Sequence, residues 1–575
     1  MSERNEAVTE AGTGRMTSWQ RWTMVAVILG SAIVFLDTSV VNLALPRIAT
    51  DLPLGNLAPL EAQSYVRDGY FLTLSALLIL GGGLTDYFGR RRMFTIGLFG
   101  FLATSVLCGL APNVYTLIAF RLLQGATGAL VVPGSLAIIT ASFEGEQQGR
   151  AFGVWAGASA ATSILGPFVG GVLVNSISWR AAFFVNVPFL LVALWAMRHV
   201  PESRDEESTG QFDWLGSLVI VLAVGGLAFG TIRGQQSLWT DGGAFVALAV
   251  GAAAAIAFPI MMVKRRNPLV PPSLFRSRNF TVTNLSTFVI YGALYVSLSF
   301  QGLFLIGTLG YNPPAAGIAG LPAVLFLTLF STRFGKLAAR YGPRLFMAIG
   351  PFIMGVGLLY LMRFPADSEA WIAGWSEGET ILPPAGYFVD LLPALIVFGI
   401  GLMIMVAPLV SALMTSVPKH NSGVASAINN AISRVGAPLV GALLFVAVAS
   451  SFYTAISDRV PDVDTSAPSF RQEVSPLNVP GDADPQVVRA ARVASTDAFH
   501  LSALVAAGLL WIGAAVNAVG IRNPKRVAEP PEERAPPGPA RARVDKIPED
   551  VPCLPVPSPT ALPRDARLGP EPEAT

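Results

Sequence analysis

Two cysteines, three histidines and 13% charged residues in a chain of 575 are conspicuously few, and each shortage removes a class of protein. Cys108 lies inside an apolar run and Cys553 in a polar C-terminal stretch, so neither a disulfide framework nor a thiolate metal site is expected. His199, His420 and His500 stand too far apart for metal-ligand spacing. No lysine follows the glycines at Gly81 to Gly83, which speaks against a phosphate-cradling loop for ATP. No nucleophile, base or metal set converges anywhere, so no enzymatic activity and no cofactor is expected. The net charge of +2 is spread over many short basic clusters and forms no nucleic-acid-binding face.

What the chain has in place of charge is apolar length. Its residues are 52% hydrophobic, and windows of ~20 apolar residues, enough to cross ~30 Å of hydrocarbon, fit about fourteen times. Their centres lie near Ile33, Leu74, Leu102, Leu130, Ala161, Leu190, Val224, Ala253, Tyr291, Leu325, Gly355, Gly401, Leu439 and Leu509. The first run, Trp22 to Leu45, is too long for a secretion signal, has no small-residue cleavage site and contains Asp37, so a retained helix is expected. Basic residues crowd alternate loops: Arg15, Arg21, Arg90 to Arg92, Arg150, Arg198, Lys264 to Arg266, Arg333 to Arg344, and Arg522 to Arg526. The positive-inside rule then places both termini in the cytoplasm, in a multi-pass protein of the inner (cytoplasmic) membrane.

The chain repeats itself. Gly82-Gly83-Leu84-Thr85-Asp86-Tyr87-Phe88-Gly89-Arg90-Arg91-Arg92 has a weaker echo at Gly335 to Arg344, with Gly342 matching Gly89 and Ala339 standing where the first copy has Asp86. Gly166-Pro167-Phe168-Val169-Gly170-Gly171 is likewise echoed by Ala437 to Ala442. Both echoes fit two six-helix halves related by duplication, which leaves the seventh and eighth helices as an inserted pair. The expected organisation is a polar N-terminus over 1–18, a first bundle over 19–200, a hinge with the inserted helices over 201–279, a second bundle over 280–520 carrying an outer loop at 454–497, and a Pro- and Arg-rich tail over 521–575. A second outer loop runs from Arg363 to Asp390, and the two together are expected to cap the outer mouth.

An ionised side chain inside hydrocarbon is expensive unless paired or hydrated, so each one is a candidate for function. Asp37 sits ~12 Å from the outer end of the first helix, and Arg121 lies ~10 Å into the fourth, which enters from the same face. At one depth, the pair could hold Asp37 ionised until helices shift or substrate arrives, as a proton-coupled exchanger needs. It could equally be a static lock between two helices. Arg434, preceded by Asn429 and Asn430, is the other deeply placed charge. With Asn42 and Gln124 these residues are candidates for lining a substrate cavity, Arg434 by anion or carbonyl contact, although snorkelling would also account for it. Gly82 and Gly89 permit close approach and a sharp turn, while Asp86 can face a helix N-terminus or the Arg90 and Arg91 guanidinium groups. This would be a latch at the cytoplasmic side, and the missing acid at Ala339 makes it unequal. Gly153-x-x-x-Gly157 and the Gly166, Pro167, Gly170, Gly171 string mark helix five as a close-packing and pliant helix.

These strings resemble the major facilitator superfamily, and within it the fourteen-helix drug:proton antiporter family, over about Trp22 to Val519. Leu36-Asp37-Thr38-Ser39-Val40-Val41-Asn42-Leu43-Ala44-Leu45-Pro46 is similar to that family's first-helix motif, whose Asp is implicated in proton coupling. The Gly82 to Arg92 stretch resembles the cytoplasmic loop motif, Arg121-Leu122-Leu123-Gln124-Gly125 the fourth-helix motif whose Arg is tied to proton transfer, and Gly166 to Gly171 the antiporter motif of exporters. Thr127 and Thr162 stand where glycines are usual. The resemblance implies an all-α membrane protein of major facilitator fold with fourteen transmembrane helices, exporting lipophilic or cationic small molecules in exchange for protons, embedded in membrane lipid and functional as a monomer. A dedicated exporter of a single metabolite or lipid would share every motif, and a non-transporting membrane sensor or scaffold is the reading from another class.

Overall fold

The computed structural model describes residues 16–523, apart from 58, 204–210, 237–239, 375–379, 381, 462, 468–469, 472–473 and 480–483. Side chains at 59–61, 163–165, 167–168, 171, 175, 235–236, 435, 437–439 and 442 are also outside the described set. Most of the expected polar N-terminus, the acidic part of the hinge and the C-terminal tail therefore lie outside the described residues.

Helix follows helix along the chain: α1 (Ser18–Asp51), α2 (Pro59–Phe88), α3 (Arg90–Gly109), α4 (Val114–Ser142), α5 (Gly145–Ser176), α6 (Ala181–His199), α7 (Trp214–Gln236) and α8 (Gly242–Lys264). They continue as α9 (Arg278–Thr308, its last turn a π-helix), α10 (Pro313–Tyr341), α11 (Arg344–Arg363), α12 (Tyr387–Thr415), α13 (Ser422–Arg459) and α14 (Pro485–Gly520). Among the described residues twelve helices are long and apolar enough to cross a membrane. Two more, α5 and α13, have 32 and 38 residues. Each of the apolar centres read from the sequence falls in a different one of these helices. No strand forms among the described residues, as expected where every backbone N–H and C=O must be satisfied within its own segment.

Local chemistry sets the helix ends. Thr17 and Gln20 form a reciprocal capping box at the start of α1, with the Gln20 carboxamide oxygen accepting from the Thr17 N–H at 3.0 Å. Asn113 accepts from the Thr116 N–H at 3.0 Å ahead of α4, and Asp484 caps α14 with Pro485 in the first position. The turn between α2 and α3 is possible because Gly89 has φ 106°, and its echo Gly342, between α10 and α11, has φ 88°.

The outer loop expected at 454–497 is shorter than its polarity suggested. Helix α13 runs on to Arg459 and α14 begins at Pro485. The polar turns that extend these helices are tied by an Arg459–Asp497 ion pair at 2.8 Å. What remains of the loop docks on the second half, with the Val479 N–H donating to Gly307 O at 2.8 Å and the Tyr453 hydroxyl to Val474 O at 3.1 Å. The other outer loop is held similarly, by Asn312 bonding both backbone groups of Ala373 and by Trp371 Nε1 donating to Thr380 O at 3.0 Å.

Two hydrophobic cores divide the bundle. One runs from Met24 to Phe280, and the other from Ile290 to Ile521. The first also takes in Val410 to Val417 of the α12 end and Val424 to Ala431 of α13, so the halves are joined at the end that carries the basic loops. There, backbones touch through glycine. A Cβ on Gly82 would lie 2.5 Å from the Gly423 carbonyl oxygen, and one on Gly149 would lie 2.5 Å from that of Gly335. The two crossings, α2 on α13 and α5 on α10, are equivalent under the internal repeat, since Gly82 and Gly335 are matching residues.

The inserted pair α7–α8 packs through Gly226 against Gly251 and is fastened to α2. Buried Asp213 accepts from the Gly216 N–H at 2.8 Å and the Leu269 N–H at 3.2 Å, and pairs with Arg265 at 2.6 Å, clasping both flanks of the hairpin together. The Leu269 side chain then packs on Gly83, and the Phe212 ring on Tyr87 at 5.5 Å.

Candidate functional site

Asp37 on α1 is wholly buried and meets Arg121 on α4, itself 1% exposed. Arg121 Nη1 donates to Asp37 Oδ2 at 2.6 Å, so the depths matched from sequence correspond to direct contact. The pair is the centre of a larger polar cluster. Gln124 Nε2 donates to Asp37 Oδ1 at 3.0 Å and to Ser105 Oγ on α3 at 2.9 Å, while its Oε1 accepts from Arg121 Nη1 at 2.7 Å. Asn186 Nδ2 on α6 donates to the same Asp37 Oδ1 at 3.0 Å and to Ser105 Oγ at 3.3 Å. Cys108 Sγ lies 3.7 Å from Gln124 Oε1. The Arg121 guanidinium sits over the Tyr70 ring of α2 at 4.2 Å, and its Nε donates to Val66 O at 3.3 Å.

Five helices therefore meet at one carboxylate. An ionised acid and its guanidinium partner are tolerable at this depth because each is paired with the other and makes further hydrogen bonds with its neighbours. Removing either partner leaves an uncompensated charge in low dielectric, and a proton on Asp37 does the same by leaving the Arg121 guanidinium without its counter-charge.

The sequence motif of helix five lands next to this carboxylate. Gly166 packs against Ser39 and Gly170 against Val40, the residues two and three beyond Asp37 on α1. Helix α5 stays continuous through 166–171, and the Pro167 and Gly171 side-chain positions lie outside the described ones. The Gly153 and Gly157 pair contacts α10 instead, where Ser331 Oγ donates to Gly153 O at 2.7 Å.

The loop motif bonds the first half to the second. Asp86 accepts from the Gly423 and Val424 N–H groups, at 3.0 and 2.8 Å, at the N-terminus of α13, with Arg90 Nε 3.6 Å from its carboxylate. Arg90 Nη2 donates to Lys419 O, and Lys419 pairs with Glu144, linking the α4–α5 and α12–α13 connections. Hydrogen bonding from that ammonium holds the Glu144 carboxyl below the usual carboxylate range. Arg91 takes another role: its backbone N–H and that of Arg92 both donate to Glu202 at 3.0 Å. In the second half Asn523 does the same for Arg344, accepting from its N–H at 3.1 Å. The third residue beyond the sixth helix of each half thus caps the third helix, charged in one half and neutral in the other.

The expected cavity residues separate. Gln124 belongs to the Asp37 cluster with both ends of its carboxamide bonded. Asn429 is buried and donates to Thr287 Oγ1 at 2.9 Å and to Asn284 Oδ1 at 3.2 Å on α9. Asn430 bonds back to Ser426 O at 2.9 Å on its own helix. Neither Gln124 nor Asn429 is turned to a cavity, because a buried carboxamide takes bonded partners wherever neighbouring helices offer them. Asn42 is exposed and Arg434 is half-buried, with no acidic partner among the described residues. Arg434 lies close enough to Tyr70 to act on it electrostatically. Sequence reasoning missed Ser105, Asn186, Tyr70 and Glu202. For the first two a signal existed: each is a polar side chain in an otherwise apolar span, the same criterion that singled out Asp37.

Residues 27–442 match the family model described as Major Facilitator Superfamily. The chain is a member of the Major Facilitator Superfamily. Among its relatives are the multidrug resistance protein Stp of Mycobacterium tuberculosis (strain CDC 1551 / Oshkosh), 30% identical over 78% of this chain and 80% of that one, and the puromycin resistance protein pur8 of Streptomyces alboniger, 32% identical over 74% and 80%. The tetracenomycin C resistance and export protein of Streptomyces glaucescens is 30% identical over 76% of this chain and 77% of its own. The fold agrees with that of the human organic anion transporter MFSD10 (TM-score 0.55, 13% identity, 87% of this chain and 100% of that one). It agrees also with the proton:xylose symporter XylE (TM-score 0.51, 16% identity, 85% of this chain and 95% of that one). This superfamily transporter carries the Asp37 cluster in its first six helices and the Asp86 contacts at the basic end.

Proposed function

We propose that this transporter exports lipophilic or cationic small molecules, drugs among them, across the cytoplasmic membrane in exchange for protons, by alternating access. The observation that carries the reading is the Asp37–Arg121 pair, buried at 2.6 Å and completed by amide donors. An acid so placed can take up a proton from one side and release it to the other when the halves rock. Resistance and export names among the relatives support the direction of transport and the cargo class. With the basic loops in the cytoplasm, the glycine crossings and the Asp86 latch close the inner side, the bundles 19–200 and 280–520 are the moving bodies, and α7–α8 ride on the first. Gly166 and Gly170 transmit movement of α5 to the Asp37 turn. The protein acts as a monomer in lipid, and Asn42 and Arg434 face the substrate path.

A dedicated exporter of one compound is the second reading, favoured by relatives named for puromycin and for tetracenomycin C. The test is transport in proteoliposomes with an imposed pH gradient, using a panel of lipophilic dyes and antibiotics, for the wild type and Asp37→Asn. The wild type should move several compounds and the variant none against a gradient, while equilibrium binding survives. Undiminished gradient-driven transport by Asp37→Asn refutes the coupling role, and movement of a single compound selects the second reading.

A further inference from the structure

Among the described residues around Asp37, one fully buried side-chain oxygen has no hydrogen-bond partner. Asn186 is fully buried, its Nδ2 serves Asp37 Oδ1 and Ser105, and its Oδ1 has no hydrogen-bond partner. A buried carbonyl oxygen without a partner is disfavoured, so this oxygen is a ready acceptor for an O–H brought within its reach.

We propose that Asn186 is a positioning residue that turns its carboxamide over when Asp37 takes a proton, an inference that rests on the proton-carrying role of Asp37 proposed above. Oδ2 of the carboxylate is held by Arg121, so the incoming proton goes to Oδ1, where Gln124 and Asn186 both now donate. The new O–H needs an acceptor. Gln124 cannot supply one, because turning it would bring its NH2 against the Arg121 guanidinium that Oε1 now accepts from. Turning Asn186 places its free oxygen where Nδ2 stands, 3.0 Å from Asp37 Oδ1 and 3.3 Å from Ser105 Oγ, within reach of both hydroxyl protons. In the present orientation the amide N–H stabilises the carboxylate, and in the turned one the amide oxygen stabilises the acid. The carboxamide has the shape of both states: in each, one end serves the acid and Ser105 and the other stands without a partner, so the protonation of Asp37 decides which end faces it.

The groups that bear on Asp37 from the elements packed around α1 are Arg121 on α4, Tyr70 on α2 and Cys108 on α3, with Arg434 of α13 acting on Tyr70. The ionisable groups close to Asp37 are thus the same before and after the turn, and the exchange adds no charge. Loss of Asn186 removes a charge-assisted donor from the ionised state and only a neutral acceptor from the protonated one. Asn186→Leu should therefore raise the proton affinity of Asp37 by about tenfold.

The experiment is a pH-titrated infrared difference spectrum of the purified full-length protein in lipid, with asparagine side-chain carbonyls isotopically labelled. The expected result is a carboxyl band absent in Asp37→Asn, accompanied by a labelled carbonyl band that moves to lower frequency at the same midpoint as its oxygen gains a hydrogen bond. In Asn186→Leu the carbonyl signal disappears and the carboxyl midpoint rises by about one pH unit. A carboxyl band that titrates with no labelled carbonyl change overturns the Asn186 proposal alone, and the wild-type spectrum decides this even where the variant does not fold. Absence of any band removed by Asp37→Asn overturns the proton role on which it rests.

Discussion

Gly335→Ala tests whether the glycine crossings hold the basic end closed. The added methyl group would fall against the Gly149 carbonyl oxygen, closer than the 3.0 Å that real Cβ atoms respect. That oxygen belongs to the backbone of α5, so no rotamer change relieves the contact and the two helices must part. Overpacking of this kind costs ~1–3 kcal/mol, and the cost falls only on the closed state. Alanine also favours helix by about 1 kcal/mol over glycine, but it does so in both states and drops out of their ratio. The closed-to-open ratio should therefore fall roughly 5- to 150-fold. Spin labels at Arg92 on α3 and Tyr341 on α10, both near the basic end and in different halves, would report this as a longer component in the distance distribution. Gly317→Ala, where a Cβ meets nothing within 4 Å, is the control. If Gly335→Ala gives the distribution of the control, the crossings do not hold the gate and the reasoning fails.

Arg121→Gln should destabilise the protein by ~3–5 kcal/mol, because Asp37 would remain buried without its counter-charge. The double variant Asp37→Asn with Arg121→Gln should recover most of the loss in thermal unfolding, and an additive result would mean the two charges are not coupled. Acidification should weaken the latch at Glu144. Its folded value lies below the ordinary carboxylate value of about 4.3, so its contribution is complete above that value and is lost as pH falls through the lowered one. The ion pair is exposed, so the change in the same label distances should stay small, under about 1 kcal/mol. Glu144→Gln should remove that low-pH change.

Much of the fold was legible because hydrocarbon leaves few solutions. The positions of the helices followed from apolar length, and the repeat from glycines whose spacing a turn requires, as at Gly89 and Gly342. The Asp37–Arg121 contact was legible too, since a buried charge needs an opposite charge at its own depth and the chain offers few. Glu202 was not, because a carboxylate in a charged linker carries no mark of the helix N-terminus it caps. The partners of Asn429 were not legible for a related reason: the Thr287 hydroxyl and the Asn284 carboxamide oxygen of α9 are brought to it only by packing inside the half-bundle.

By itself, then, the sequence determined an α-helical membrane protein with a duplicated plan and one acid too deep to be ornamental, because length, apolarity and the price of buried charge are properties of residues and their spacing. Only the tertiary structure decided which lone pairs that acid shares. Asn186 reaches Asp37, and Ser105 the two amides that serve it, from helices far away in the chain, and the direction of a carboxamide is set by the neighbours that packing brings to it. The same holds at the basic end. Gly82 and Gly335 are visible as repeats, but that each meets a glycine of the opposite half, closing one end of the bundle, is a fact of how two helical surfaces cross.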